Sequence, residues 1–403
     1  MGRLQDYQQQ VLRELREVIL PFYPRHAVDR ERGGFYGWVG NDGRVDKQAP
    51  RSLIQHTRLL WTFALAARVL DDSSYRELAN HAYEYLLGSF WDGEFGGFYW
   101  MLDYKGQPIE TDKLTYGQAF AIYALAEYAL LTEVGAPLAY ATSVWKRLEV
   151  RLTDQEYGGY FEGARRDWSP APELHVDDHP TEKGMNSHLH LLEAYTNLLR
   201  AWDDERMRES LGGLLRVVLD RVVDERRAHL KLYMDKRWEP LSDHVSYGHD
   251  IEASWLLYEA AEVLGEVALL AECRAAALSL AEETLAHGLD DAGAVINSDD
   301  VNLIGADSRD WWPQAEGMVG FLNAYQISGE GRFLDASLGC WEYARTHLSD
   351  REHGEWFSAV DGEGRPFDQP KTGPWKTPYH NGRACLEVYW RVEAILANSR
   401  RSF

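Results

Sequence analysis

Apolar residues recur at three- and four-residue spacing through windows of roughly 14–20 residues, the period of a helix with one buried face. Such stretches begin near Leu4, Ile54, Tyr75, Tyr116, Leu138, Ser187, Met207, Ile251, Val267, Gln314, Phe333 and Tyr379, with almost no proline inside them. After every second helix the pattern changes. A glycine-rich turn leads into an aromatic or β-branched run and then an Asp/Asn/Gly turn, which reads as a short β-hairpin. The copies are GGFYGWVGNDG from Gly33, GGFYWMLDYKG from Gly96 and GGYFEGARRDW from Gly158. Weaker copies are HLKLYMDKRW from His229, GAVINSDD from Gly293 and GEWFSAVDGEG from Gly354. Successive copies stand roughly 60–70 residues apart, a period that signals an internal repeat.

Six copies of hairpin–helix–helix predict an all-α fold, an (α/α)6 barrel of about twelve helices with short β-hairpins at one end. Closing the ring buries the apolar face that one helix pair could not bury alone. An open superhelical solenoid is the alternative, but six degenerate units with long hairpins favour closure. Length alone points to two or three domains. The repeat instead predicts residues 1–403 as a single catalytic domain, with no linker or low-complexity segment to divide it. The helix after each hairpin should be the inner one, and functional groups should gather at the starts of the inner helices.

Composition narrows the partners. The chain carries 42 basic and 64 acidic residues, a net charge of -22. That balance disfavours nucleic acid and anionic membrane surfaces. No apolar run reaches the roughly 18–20 residues of a membrane span. The start, MGRLQDYQQQ, has no apolar signal core, so a cytoplasmic location is expected, as a monomer or weak homodimer. Cys273, Cys340 and Cys385 are scattered and fit free thiols. The 15 Trp and 22 Tyr suit a cleft for ring-shaped ligands, and a small-molecule sugar is the usual case.

The six expected inner-helix starts are rich in polar and aromatic groups, which must be hydrogen-bonded or line a cavity. His249 and Glu252 share a face at i, i+3, where Glu252 could orient the imidazole; Trp255 follows as a candidate cleft wall. Asn186 and His190 share a face at i, i+4. His188 and His190 form HxH, but i, i+2 side chains on a helix point apart, and no HExxH-like motif supports a metal. Trp312 and Glu316 set an aromatic ring beside a carboxylate. His380 falls in the first turn after Pro378, preceded by Trp375. Arg58 lies in an apolar helix and needs an anionic or carbonyl partner, from a substrate or a structural Glu. Three histidines thus converge from three inner helices, with no phosphate loop, GxSxG elbow or activated cysteine. This suits proton abstraction next to a carbonyl. A glycoside hydrolase would need two carboxylates at a defined separation. A sugar-binding protein would keep the tryptophans without needing the histidines.

The segments MNSHLHLLEAY, SYGHDIEASWLL, WWPQAE and WKTPYHNGRACLE closely resemble the N-acylglucosamine 2-epimerase superfamily, most of all its cellobiose 2-epimerases. The resemblance runs from the first hairpin nearly to the C-terminus. It implies the same barrel, no metal or nicotinamide cofactor, and inversion at C2 of the reducing-end glucose of β-1,4-linked disaccharides. It assigns acid/base roles to His249 and His380 and an assisting role to His190. Arg58 would hold sugar oxygens, Glu252 and Glu316 would orient histidines and bind hydroxyls, and Trp312 and Trp375 would be aromatic platforms. Tyr116, Asp178, Asn186 and Trp255 would line the pocket. The implied path is ring opening, C2 deprotonation to a cis-enediolate, rotation about C2–C3, reprotonation and ring closure. The sequence departs from the pattern at Pro374 and Thr377 and through the stretch before Trp311, where a second sugar would sit. Epimerisation of free mannose and glucose therefore stands as the alternative.

Overall fold

The structure, a computed structural model, describes residues 2–176, 179–298 and 308–401. Among the described residues, twelve α-helices form two concentric rings. The inner ring is α2 (Leu53–Leu70), α4 (Thr115–Thr132), α6 (Met185–Ala201), α8 (Tyr247–Leu264), α10 (Trp311–Ser328) and α12 (Tyr379–Arg401). Each packs on the next in chain order, and α12 returns to α2. The outer ring is α1 (Gly2–Glu14), α3 (Ser73–Tyr85), α5 (Gly135–Arg151), α7 (Glu205–Val217), α9 (Val267–His287) and α11 (Gly331–Tyr343). Helix α1 packs on α12, and each remaining outer helix packs on the inner helix before it. The expected (α/α)6 barrel is therefore observed, and every helix begins within four residues of the position its apolar period predicts.

The two rings differ in pattern for a physical reason. Inner helices are enclosed on all sides, so α2 is buried without a break from Leu53 to Ala67 and α4 from Thr115 to Ala129. Outer helices keep a wet face, so α7 buries only Met207, Leu211, Leu214 and Leu215. Among the described residues, no helix is long and apolar enough to cross a membrane.

All six hairpins are present. Their closing pairs are Val28–Phe35, Trp91–Phe98, Thr153–Tyr160, Val223–Leu230, Leu289–Val295 and Ser349–Trp356. The residues just before an inner helix pair with the hairpin of the following unit: Arg51–Ser52 with Met101–Leu102, Lys113–Leu114 with Gly163–Ala164, Lys183–Gly184 with Tyr233–Met234, and Arg309–Asp310 with Ala359–Val360. Val39 bridges Thr372 and joins the first unit to the last. An aspartate in most hairpins anchors it to a cation near the inner-helix start. The pairs are Asp29–Arg51 (2.5 Å), Asp92–Lys113 (3.1 Å), Asp154–Lys183 (2.7 Å), Asp290–Arg309 (2.8 Å) and Asp350–Lys371. The fourth unit has Val245 where the cation would be and uses a different pair, His229–Asp250 at 2.8 Å.

Candidate active site

A second polar device ties each hairpin to its inner helix and sets the phase of the site. The backbone N–H of Phe35 donates to His56 Nε2, that of Phe98 to Gln118 Oε1 and that of Tyr160 to His188 Nε2. Leu230 donates to Asp250 Oδ1 and Val295 to Gln314 Oε1. In the sixth unit Asn381 reaches its hairpin through Glu355. These residues hold equivalent positions in the six helices. Two residues further along, about 200° around a helix, the side chains face the opposite way. Those positions are Arg58, Phe120, His190, Glu252, Glu316 and Arg383. Five of the six carry ionisable groups, and they meet in the middle of the barrel.

Arg383 is the hub. Fully buried on α12, it donates through Nη1 to Glu193 and through Nη2 to Glu252 (2.8 Å) and Glu316 (2.7 Å). Tyr379 donates to Glu193 at 2.6 Å, and His190 Nδ1 lies 3.1 Å from the same carboxylate. Burial disfavours the Glu193 anion, but Arg383 and His190 outweigh it and hold its pKa low. Burial and the neighbouring Glu316 push the pKa of Glu252 up to about 8. Glu252, Glu316 and His380 bring ligand atoms together as a metal site would. Here the guanidinium of Arg383 bonds both carboxylates, so it stands where a cation would.

His380 and His249 occupy equivalent positions on α12 and α8, one residue before Asn381 and Asp250. His380 Nδ1 is 2.6 Å from Glu316 Oε1. With Nδ1–H donated to a carboxylate, Nε2 is left as the unprotonated nitrogen. Burial, helped by Arg58 and Arg383, pushes its pKa well below the ordinary histidine value. His249 Nδ1 is 2.7 Å from Ser246 Oγ, and burial with the nearby His190 pushes its pKa down to about 3. Both imidazoles are neutral at pH 7. Trp312 packs against both, its ring centre 4.6 Å from that of His249 and 5.8 Å from that of His380.

Arg58 donates to the carbonyl of Trp375 (2.7 Å) and to Tyr116 Oη (2.9 Å). It lies between the rings of Phe120 and Tyr379. Its partners are protein groups, and its buried Nε has no hydrogen-bond partner among the described residues. Trp375 is 44% exposed and meets Trp100 and Tyr116 edge-on at the barrel mouth. His249 opens onto a cleft of about 570 Å³ lined also by Asn186, Tyr233, His244, Ser246 and Asn297, a size usual for small-molecule sites.

Most residues singled out in the sequence therefore gather at one end of the barrel. Two local expectations are corrected. Glu252 does not orient His249; it bonds Arg383, because its position points to the barrel centre while His249 turns toward Ser246 and Trp312. Trp255 is not a cleft wall. It is fully buried, and its indole donates to Glu316 Oε2 at 3.0 Å beneath the guanidinium of Arg383. Asp178, expected in the pocket, lies outside the described residues. Sequence reasoning missed Arg383, Glu193 and Tyr379. The signal that singled out Arg58, an arginine in an enclosed helix, applies equally to Arg383.

Residues 34–384 match the family model of N-acylglucosamine 2-epimerase. The chain is 39% identical over 384 residues to a cellobiose 2-epimerase of Bacteroides fragilis, covering 94% of this chain and 98% of that one. It is 38% identical over 386 residues to a cellobiose 2-epimerase of Dictyoglomus turgidum, covering 95% and 98%. The solved cellobiose 2-epimerase of Bacillus thermoamylovorans superimposes with a TM-score of 0.91 at 37% identity, over 96% of this chain and 100% of that one.

Proposed function

Because the chain belongs to the N-acylglucosamine 2-epimerase family and is a sugar 2-epimerase, we propose that it inverts C2 of the reducing-end glucose of β-1,4-linked disaccharides. Cellobiose would become glucosyl-mannose and lactose epilactose, with residues 1–403 acting as one catalytic domain. The observation that carries the reading is the arrangement of His249 and His380. Two neutral imidazoles arrive from equivalent positions on two inner helices, and one is held by a carboxylate that leaves Nε2 free. After the sugar ring opens, one imidazole takes the C2 proton and a cis-enediolate forms. Rotation about C2–C3 presents the other face; the first imidazole releases the C2 proton to solvent, and the second takes up a solvent proton and delivers it to that face. Arg58 Nε has a donor left for the enediolate oxygens. His190, fixed through Nδ1 by Glu193, assists beside it. Trp375 and Trp312 offer faces for the sugar's C–H groups. Tyr233 and His179, stacked at 4.5 Å in the same cleft, extend that surface toward a second ring and favour a disaccharide. The experiment is separate incubation with cellobiose, lactose, glucose and mannose, with products identified by chromatography. Glucosyl-mannose from cellobiose and epilactose from lactose are expected. Conversion of the monosaccharides alone would replace this substrate with mannose, and no epimer from any sugar would refute the reading.

A further inference from the structure

Gly248 is the second residue of α8, immediately before His249. The equivalent residues on the other inner helices are Ile54, Tyr116, Asn186, Trp312 and Tyr379, all with substantial side chains. The fourth unit alone leaves this position empty, and Trp312 of the next helix fills it. A Cβ on Gly248 would stand 2.5 Å from Trp312 Cη2, 2.7 Å from Cζ3 and 3.1 Å from Pro313 Cγ. Its backbone is ordinary helix, so conformation does not demand glycine there, and alanine would favour the helix. The close approach of the indole does demand it. That indole packs against both His249 and His380.

We infer that Gly248 is a positioning residue: its missing side chain lets Trp312 lie against His249 and His380 and so sets the spacing of the two imidazoles around the sugar. The inference rests on the reading of these histidines as the acid/base pair. A methyl group at 248 drives the large, rigid indole off α8 and moves it against the imidazoles. The chemical step should suffer more than sugar binding.

The test is a double-mutant cycle of Gly248→Ala and Trp312→Phe in the full chain. It is read as kcat and KM on cellobiose and as equilibrium binding of cellobiitol, the reduced, unreactive disaccharide. Gly248→Ala is expected to lower kcat at least tenfold, to raise KM less than threefold and to leave the melting temperature near that of the wild type. The smaller ring of Trp312→Phe relieves the contact, so the double variant should be no slower than Trp312→Phe alone. Two results would overturn the inference: Gly248→Ala keeping more than half of the wild-type kcat, or the two losses simply multiplying. If Gly248→Ala does not fold, the double variant decides. Folding with the activity of Trp312→Phe supports the contact, and failure of both variants overturns it. A wild-type chain that binds cellobiitol but epimerises none of the sugars removes the proposed function, while the cycle measured on binding still tests the contact.

Discussion

His188 and His190 stand two residues apart on one helix, and both are buried, yet they belong to different parts of the molecule. His188 faces the hairpin. Its Nδ1 donates to the Gly184 carbonyl and its Nε2 accepts the Tyr160 N–H, so both nitrogens are consumed by the backbone. His56 is held in the same way. His190 faces the barrel centre and meets Glu193, Tyr116 and Phe120. The same contrast holds around the ring. His56, Gln118, His188, Asp250 and Gln314 form a clamp layer, and Arg58, His190, Glu252, Glu316 and Arg383 form a charged layer two residues on. Residue type does not separate the two layers; helical phase does.

The comparison can be broken where the two layers should respond most differently. The largest effect is expected at the two histidines beside the charged layer. His249→Ala and His380→Ala should each lower kcat by about 10²–10⁴, the usual worth of a general acid or base, with circular dichroism unchanged. A variant that kept more than a tenth of the activity would remove that histidine from the acid/base pair. Next is Arg383→Met, which leaves Glu193, Glu252 and Glu316 facing one another without their cation. Denaturant unfolding should show a loss of about 3–5 kcal/mol, the cost of breaking a buried ion pair. A loss below about 1 kcal/mol would mean that Arg383 is not the hub described.

A smaller effect follows pH. Glu252 titrates at about 8 in the folded chain against 4.5 for an ordinary glutamate. Between those values the folded state binds more protons than the unfolded one. The contribution of Glu252 to stability is therefore complete below pH 4.5, declines through the window and is gone above about 8. Glu252→Gln should flatten that part of the melting-temperature profile, and an unchanged slope would assign it to other groups. The smallest effect is expected in the clamp layer. His188→Gln reproduces the residue found in two other units, Gln118 and Gln314, whose Oε1 accepts the same hairpin N–H. It should keep kcat within about twofold, whereas His190→Gln should lose at least tenfold, toward the lower end of a proton-transfer or assisting role. If the two variants behaved alike, phase would not be what separates the layers.

The architecture was legible because its signals repeat. Helix period, hairpin turns and their spacing each occur several times, so a weak copy such as GAVINSDD from Gly293 is carried by stronger ones. The site was legible only where one residue type stands out against an apolar helix, as Arg58 does, or where family resemblance supplied the role. Partners were harder to read. Spacing alone suggested that Glu252 serves His249, but Arg383 lies 131 positions away in sequence from Glu252 and takes that carboxylate instead. Trp255 looked like a cleft wall because an aromatic near a polar pair suits one. Its bond to Glu316 depends on the packing of α8 against α10 and on Arg383 of α12 lying over its ring, which no local pattern encodes.

The central claim is that protons move at C2 through His249 and His380, and turnover in D2O tests it most directly. Neutral imidazoles that exchange with solvent between the two steps should place deuterium at C2 of the glucosyl-mannose formed from cellobiose, approaching one atom per turnover. A product that retains protium at C2 at full activity would contradict a two-histidine route through an enediolate.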